Sequence, residues 1–152
     1  LGGNRLNIKR GFRLTLSSKV HFYGMVGGEQ KMSLLRDSSG LIFPVRWHEP
    51  FGLAVIESLY FGAPVFATPY GALPELVNPE NGVLSASEQD LANAVQTFQT
   101  NRAHNHQCAQ DVFNAQRMAQ DYLIVYETVL SQEVLNPIAP QMLTSAQDLA
   151  WH

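Results

Sequence analysis

Short, largely apolar runs alternate with helical patterns through the middle of this chain, and that alternation constrains its fold most. The runs "LIFPV", "PVFAT" and "GVLSA" are each five residues long and are bounded by glycines or polar loops. Such runs are typical of strands that helices cover on both faces of a parallel sheet. A helix is expected from about Gly52, and a shorter one within "ALPELV". The sequence therefore predicts an α/β fold with a parallel sheet and helices on both faces.

The flanking segments extend this pattern. Val20 to Tyr23 alternates apolar and polar positions, which predicts a further strand ended by Gly24. The stretch "GGEQKMSLLRDSSG" predicts a short helix. After Ser87 the apolar positions recur at helical spacing, and we expect Tyr122 and Tyr126 to lie in the core. Residues 1 to 17 carry only a weak signal, interpreted as a loop and a short helix.

Size and charge narrow the function classes. The chain has 152 residues, of which 45% are hydrophobic and 15% charged, with a net charge of -3. This composition favours a compact domain and argues against nucleic acid as a partner. Cys108 is the single cysteine and is expected to be a packed thiol, in keeping with a cytoplasmic protein.

The two ends of the chain predict its domain organisation. The opening Leu-Gly-Gly suggests that the chain begins just past a strand, with an earlier domain before it. We assign residues 1–131 to one partial domain. Residues 132–152 contain Pro137 and Pro140 without a strong period, and we expect a tail that is mobile or docks on a missing domain.

Two glutamates carry the functional signal. Glu49 follows the "LIFPV" strand, at the edge of the sheet where parallel α/β folds bind ligands. Pro50 places Glu49 outside the next helix, so Phe51, Gly52 and Leu53 open that helix. The N–H groups of a first turn form a site for an anion such as phosphate, and Gly52 is expected to let the ligand approach.

Glu57 lies inside the same helix among apolar neighbours. A helical wheel places it between Leu53 and Tyr60 on one side and Phe61 on the other, so we expect it to be at least half buried. A buried carboxylate needs hydrogen-bond donors, and the cis-diol of a ribose supplies two. The alternative is that Glu57 is an early-helix acid and Glu49 a solvated loop residue.

Other polar residues offer weaker signals. His104 and His106 point apart on a helix, so they predict solvated histidines and no metal site. Arg46, His48 and Glu75 are candidates for supporting roles around the two glutamates.

The stretch "HEPFGLAVIESLYFGAPVFATPYGALPELV" resembles the donor-binding segment of the family 4 retaining glycosyltransferases of the GT-B fold. Their signature is two glutamates separated by seven residues within E-P-F-G-x-x-x-x-E. The upstream "VHFYGMV" and the helical "MAQDYLIVYETVL" extend the likeness from about Lys19 to Leu130. The resemblance implies the Rossmann-like C-terminal half of a GT-B fold, truncated at its N-terminus.

The resemblance also implies roles for individual residues. Glu49 would be the catalytic residue that touches the sugar hydroxyls of the donor, and Glu57 would bind the ribose. The backbone of Phe51, Gly52 and Leu53 would hold sugar and diphosphate, while Gly24, Met25 and Val26 would border the base. Gly71-Ala72 departs from the Gly-Gly that the family often has.

The expected partner is a nucleotide-diphosphate sugar, as substrate rather than cofactor, with no metal. The family's basic pair and its acceptor-binding domain belong to a region before Leu1. We therefore expect these 152 residues to bind donor weakly and to be inactive alone. The full-length enzyme could associate peripherally with the inner face of the membrane.

Two alternatives remain open at this point. A sugar-nucleotide epimerase shares the two-domain architecture, although it would require more carboxylates and histidines in the cleft. A non-catalytic binding or assembly module would keep the fold for protein contact.

Overall fold

A computed structural model of the chain describes residues 19–138. Its internal contacts divide the chain into two compact units, Leu1–Asp37 and Ser38–His152. The first unit contains helix α1, Gly28–Asp37, with Glu29 in its first turn and Arg36 in its last. These charges complement the helix dipole, and the helix predicted in this segment is confirmed.

The second unit contains three strands and five helices among its described residues. In chain order these are β1 Leu41–Phe43, α2 Leu53–Tyr60, β2 Val65–Ala67, α3 Leu73–Leu76, β3 Gly82–Leu84, α4 Glu88–Thr97, α5 Arg102–Val112 and α6 Ala115–Leu130. The three apolar runs coincide with the three strands, so the predicted alternation of strands and helices is confirmed.

The strands form a parallel sheet in the order β1-β2-β3. Leu41 pairs with Val65, and Val65 pairs in turn with Gly82. Because all three strands run the same way, their carboxyl ends meet at one edge of the sheet. The loops that follow β1 and β2 therefore lie side by side.

The central strand β2 is buried on both faces. Val65 and Ala67 belong to the core cluster together with Val55 and Leu59 of α2. Phe66 points to the opposite face, as alternate residues of a strand do, and its ring meets that of Phe98 at 5.8 Å. Helical segments thus cover both faces, and the second unit is an α/β, Rossmann-like fold as predicted.

Polar side chains mark the beginnings of the later helices. Ser87 accepts a hydrogen bond from the Asp90 N–H at the start of α4. Asn101 and Asn114 do the same at the starts of α5 and α6. Each cap satisfies one of the N–H groups that a first turn leaves without a helical partner, so the local sequence fixes where these helices begin.

The strand predicted at Val20 to Tyr23 is wrong. These residues adopt no regular structure, and the side chains of Val20, Phe22 and Tyr23 are exposed. Alternation of apolar and polar residues suits a strand, but a strand forms only beside a partner that completes its hydrogen bonds. The described residues offer this segment no such partner.

Two predictions of burial are also wrong. Ile42 of β1 is exposed, so only one face of this strand is covered in the described part of the chain. Helix α6 has no buried residue, and Tyr122 and Tyr126 are 54% and 56% exposed. A stripe at helical spacing shows that a helix has an apolar face, but not that a surface is present to cover it.

None of the described helices is long and apolar enough to cross a membrane.

Candidate functional site

The backbone of Glu49 is joined to the loop that follows β2. Glu49 and Gly71 form a parallel bridge, and the Glu49 carbonyl accepts a hydrogen bond of 2.8 Å from the Ala72 N–H. Gly71 has a φ of +66°, and a Cβ on it would overlap the backbone nitrogen and carbonyl oxygen of Glu49. The absent side chain at Gly71 thus permits the contact that fixes the position of Glu49.

A buried hydrogen bond holds the ends of β1 and β2 together just before these loops. The Thr68 hydroxyl donates to the Val45 carbonyl at 2.6 Å, and Thr68 is fully buried. A buried carbonyl without a donor is costly, so this bond stabilises the local arrangement of the two chain segments. Glu49 therefore lies in a well-supported loop at the carboxyl edge of the sheet.

The carboxylate of Glu49 is hydrogen-bonded through both of its oxygens. Oε1 accepts from the Gly52 N–H at 3.1 Å, and Oε2 accepts from the Trp47 indole N–H at 3.1 Å. The first of these bonds places the negative charge at the amino end of α2, where the helix dipole favours it. Glu49 is partly buried, so the alternative of a solvated loop residue does not describe it.

The first turn of α2 differs in detail from the prediction. The helix begins at Leu53, and Gly52 is its N-cap with a φ of +91°. A Cβ on Gly52 would meet Leu76 Cδ1 at 2.9 Å and Leu73 Cδ2 at 3.5 Å. Glycine is therefore needed for the backbone conformation and for packing on α3, and its role in the approach of a ligand stays a prediction.

The hydrogen bond to Glu49 also determines which N–H groups at the amino end of α2 are left without an acceptor. The Gly52 N–H is already bonded to Glu49, and the N–H groups of Val55 and Ile56 donate to the Gly52 carbonyl. Within residues 19–138, the structure records no acceptor for the N–H groups of Leu53 and Ala54. These two groups, rather than that of Gly52, are available to an anion.

Glu57 lies on the flank of α2 between its buried and exposed sides. Val55, Ser58 and Leu59 face the core, whereas Leu53 and Tyr60 are exposed. Glu57 itself is partly buried, as the helical wheel predicts. Both glutamates therefore belong to one helix and the loop that leads into it, with Glu49 at the amino end and Glu57 one turn inside.

The supporting candidates lie near these residues with exposed side chains. Arg46 and His48 belong to the same loop as Glu49, and the His48 ring approaches that of Tyr70 edge-on at 6.5 Å. Glu75 lies in the short helix α3, which follows the Glu49–Gly71 bridge. The supporting roles of Arg46, His48 and Glu75 stay predictions.

The residues predicted to border the base belong to the first unit. Gly24 has a φ of +70°, Met25 is highly exposed and Val26 is partly buried. Positive φ at Gly24 explains why glycine ends this segment. The place of these residues beside a base stays a prediction.

The histidines of α5 are not simply solvated, contrary to the expectation. His104 Nε2 lies 3.0 Å from Glu80 Oε2, and the Cys108 sulfur lies 3.4 Å from the same nitrogen. His106 Nδ1 hydrogen-bonds the Tyr60 carbonyl. Glu80 and Tyr60 lie outside α5, so helical spacing alone could not reveal them, whereas Cys108 lies four residues after His104 in the same helix. No group of three metal-ligating residues that could hold an ion is found among the described residues.

Trp47 is not among the site residues predicted from the sequence. Its signal is local, because an indole N–H donor lies only two residues before an acid in the same loop. Only the structure shows that the donor is directed at the carboxylate.

More than half of the chain is similar in sequence to a known protein family. The family model described as glycosyl transferases group 1 matches residues 12–114, more than half of the chain. A GDP-mannose-dependent alpha-(1-6)-phosphatidylinositol dimannoside mannosyltransferase of Mycobacterium tuberculosis is 28% identical over 109 residues, which cover 68% of this chain and 29% of that protein. An uncharacterized 41.2 kDa protein in the cps region of Klebsiella pneumoniae is 25% identical over 117 residues, or 72% of this chain and 32% of its own length.

A third similar protein is a D-rhamnosyltransferase of Pseudomonas aeruginosa, 32% identical over 76 residues that cover 48% of this chain and 20% of that protein. The chain spans about a third or less of each of these relatives. The matched family segment contains the three described strands, both glutamates and the loops that follow β1 and β2. The chain belongs to the family of glycosyl transferases group 1.

Proposed function

We propose that this chain is the donor-binding part of a retaining glycosyltransferase, which moves a sugar from a nucleotide-diphosphate sugar to an acceptor. One observation carries the proposal. The Glu49 carboxylate is fixed at the carboxyl edge of a parallel sheet, beside the amino end of the helix that carries Glu57. This arrangement combines a site for an anion with carboxylate acceptors for hydroxyl groups.

Each part of the nucleotide-diphosphate sugar has a matching group on the protein. The diphosphate suits the N–H groups of Leu53 and Ala54 and the positive end of the α2 dipole. Glu49 uses one acceptor position on each oxygen for Trp47 and Gly52, and the positions that remain can accept from sugar hydroxyls. Glu57 accepts from the ribose hydroxyls.

The main catalytic effect in this proposal is electrostatic. Breaking the bond between the sugar and the diphosphate leaves additional negative charge on the leaving group. Oriented N–H groups and basic side chains stabilise that charge without reorganising during the reaction. The Glu49 carboxylate orients the sugar, and its negative charge favours positive charge that develops on the sugar ring. Neither a metal nor a cofactor is assigned a step.

A longer protein would complete the enzyme. The relatives are about three times as long as the matched segment, which supports a second part that binds the acceptor. We infer that the present chain binds donor but does not transfer sugar by itself. The name of the mycobacterial relative makes GDP-mannose the first donor to test.

Titration calorimetry with GDP, 2′-deoxy-GDP and GDP-mannose tests the proposal through Glu57. Replacing Glu57 with Gln weakens its hydrogen bonds to the ribose, so we expect the affinity for GDP to fall about tenfold. The unchanged chain should also prefer GDP to 2′-deoxy-GDP, and that preference should shrink in the Glu57→Gln variant. UDP and UDP-glucose extend the panel if the guanine compounds do not bind.

A matched control is Glu127→Gln, an equivalent change in helix α6 that leaves the loops of the sheet edge untouched. Its affinities should equal those of the unchanged chain. Absence of binding to every nucleotide and nucleotide sugar would refute the proposal and favour an assembly module.

The retaining mechanism needs a separate test on a full-length protein that contains this chain. The anomeric configuration of the product, read from its NMR coupling constants, should equal that of the donor. An inverted product would overturn the mechanism while leaving donor binding intact.

A further inference from the structure

The indole of Trp47 is unusual because it is exposed and yet hydrogen-bonded to a carboxylate. The side chain is 56% exposed, and its Nε1–H donates to Glu49 Oε2 at 3.1 Å. The exposed ring of Phe51 belongs to the same loop. A large apolar surface in contact with water is unfavourable, so packing does not explain an aromatic residue at this position.

The two donors around Glu49 restrict its carboxylate to one orientation. The Gly52 N–H bonds Oε1 and the Trp47 indole bonds Oε2, so each oxygen has a different donor. A glutamate side chain has several rotatable bonds, and leaving them free would lower the affinity for any ligand that needs one orientation. The two hydrogen bonds remove this freedom before a ligand arrives.

The same pair of donors distinguishes a carboxylate from a carboxamide. A carboxylate presents an acceptor to both N–H groups, whereas a carboxamide presents one acceptor and one NH₂ group. In a Glu49→Gln variant the NH₂ group would therefore face either the Gly52 N–H or the Trp47 N–H. Removing the indole donor would relieve this conflict.

We propose that Trp47 is a positioning residue that orients the Glu49 carboxylate toward the donor sugar, an inference that rests on the proposed function. In the proposed function the diphosphate and the ribose are bound by groups of α2, whereas Trp47 and Glu49 lie in the loop before that helix. Trp47 should therefore affect binding of the sugar part alone.

The difference between a nucleotide and its sugar derivative provides the test. All measurements use a Trp151→Phe background, in which Trp47 is the single tryptophan. In this background Trp47→Phe keeps an aromatic ring and removes the N–H donor. We expect the affinity for GDP-mannose to fall about tenfold and the affinity for GDP to change less than about twofold.

Tryptophan fluorescence gives an independent signature of the same contact. Since the indole is bonded to the carboxylate that accepts the sugar hydroxyls, GDP-mannose should change the emission of Trp47. Saturating GDP should change it much less. Equal responses to both ligands would contradict the inference.

A double-mutant cycle tests the hydrogen bond without any ligand. Glu49→Gln should lower Tm more when Trp47 is present than in the Trp47→Phe variant, because only then does the amide face two donors. Equal shifts in Tm would show that the indole does not hold the carboxylate.

The outcomes separate this inference from the function on which it rests. If Trp47→Phe leaves the affinities for GDP and GDP-mannose unchanged, or lowers both equally, the positioning role of Trp47 is overturned and the proposed function stands. Absence of binding to every nucleotide refutes the proposed function, and the positioning role falls with it.

Discussion

At the scale of single residues, the site depends on two glycines as much as on the two glutamates. Gly71 allows the β2 loop to contact the backbone of Glu49, and Gly52 allows the turn that brings its own N–H to the carboxylate. Both glycines have positive φ, which other residues adopt at a cost. The sequence shows these glycines, but not the contacts that require them.

Replacing Gly71 with Ala should displace Glu49. The new Cβ would overlap the Glu49 backbone, and alanine disfavours a φ of +66°, so we expect a loss of about 2 kcal/mol in the free energy of unfolding. Urea denaturation measures the loss, and calorimetry should show a weaker affinity for GDP-mannose.

Gly27→Ala is the matched control, because Gly27 has no positive φ and a Cβ there would have no neighbour within 4 Å. Its effect on stability should be near zero. A Gly71→Ala variant as stable as this control would show that the loop accommodates the extra atom.

At the scale of elements, α5 joins segments that are far apart in the chain. The guanidinium of Arg102 donates to the carbonyls of Ser38 and Phe61, each at 2.8 Å. The Asn105 amide donates to the Gly62 carbonyl at 3.2 Å. The bonds to Phe61 and Gly62 satisfy carbonyls just past the end of α2, so α5 helps to fix the helix that carries Glu57.

Arg102→Lys should therefore destabilise the second unit. A lysine ammonium cannot reproduce the planar geometry that reaches two carbonyls, so we expect a loss of about 1 to 2 kcal/mol in the free energy of unfolding. Denaturant melts followed by circular dichroism provide the measurement.

Arg117→Lys in α6 is the comparison. Arg117 lies 3.7 Å from Asp121 in an exposed pair on one helix, and such pairs contribute little. The two substitutions should differ clearly, and equal effects would mean that the Arg102 bonds do not stabilise the fold.

At the scale of the whole molecule, the described part of the second unit is well covered at β2 and sparsely covered at α6. Each residue of β2 is buried and the strand is paired on both sides, whereas α6 buries none of its residues. Apolar burial and backbone pairing determine which regions open last.

Hydrogen exchange should show this gradient. We expect the amides of Val65–Ala67 to exchange about a hundredfold more slowly than those of α6. Amide exchange followed by NMR measures both regions in one experiment. Equal protection would show that another surface covers α6 in solution.

Much of this architecture could be read from the sequence because it depends on local patterns. "LIFPV" and "PVFAT" became adjacent parallel strands, and Pro50 excluded Glu49 from the helix that carries Glu57. Errors arose where the outcome depended on a distant partner. Val20 to Tyr23 had a strand pattern and found no partner strand among the described residues, and Tyr122 had a core pattern and is exposed.

By itself the sequence determined the order of strands and helices, the family signature and the two acidic residues, since periodicity, proline and caps act over a few neighbours. Only the tertiary structure decided that Gly71 lies against Glu49, that Leu73 and Leu76 occupy the space beside Gly52, and that Trp47 bonds the carboxylate. Those contacts depend on where the backbone places each side chain in three dimensions, which no local pattern specifies.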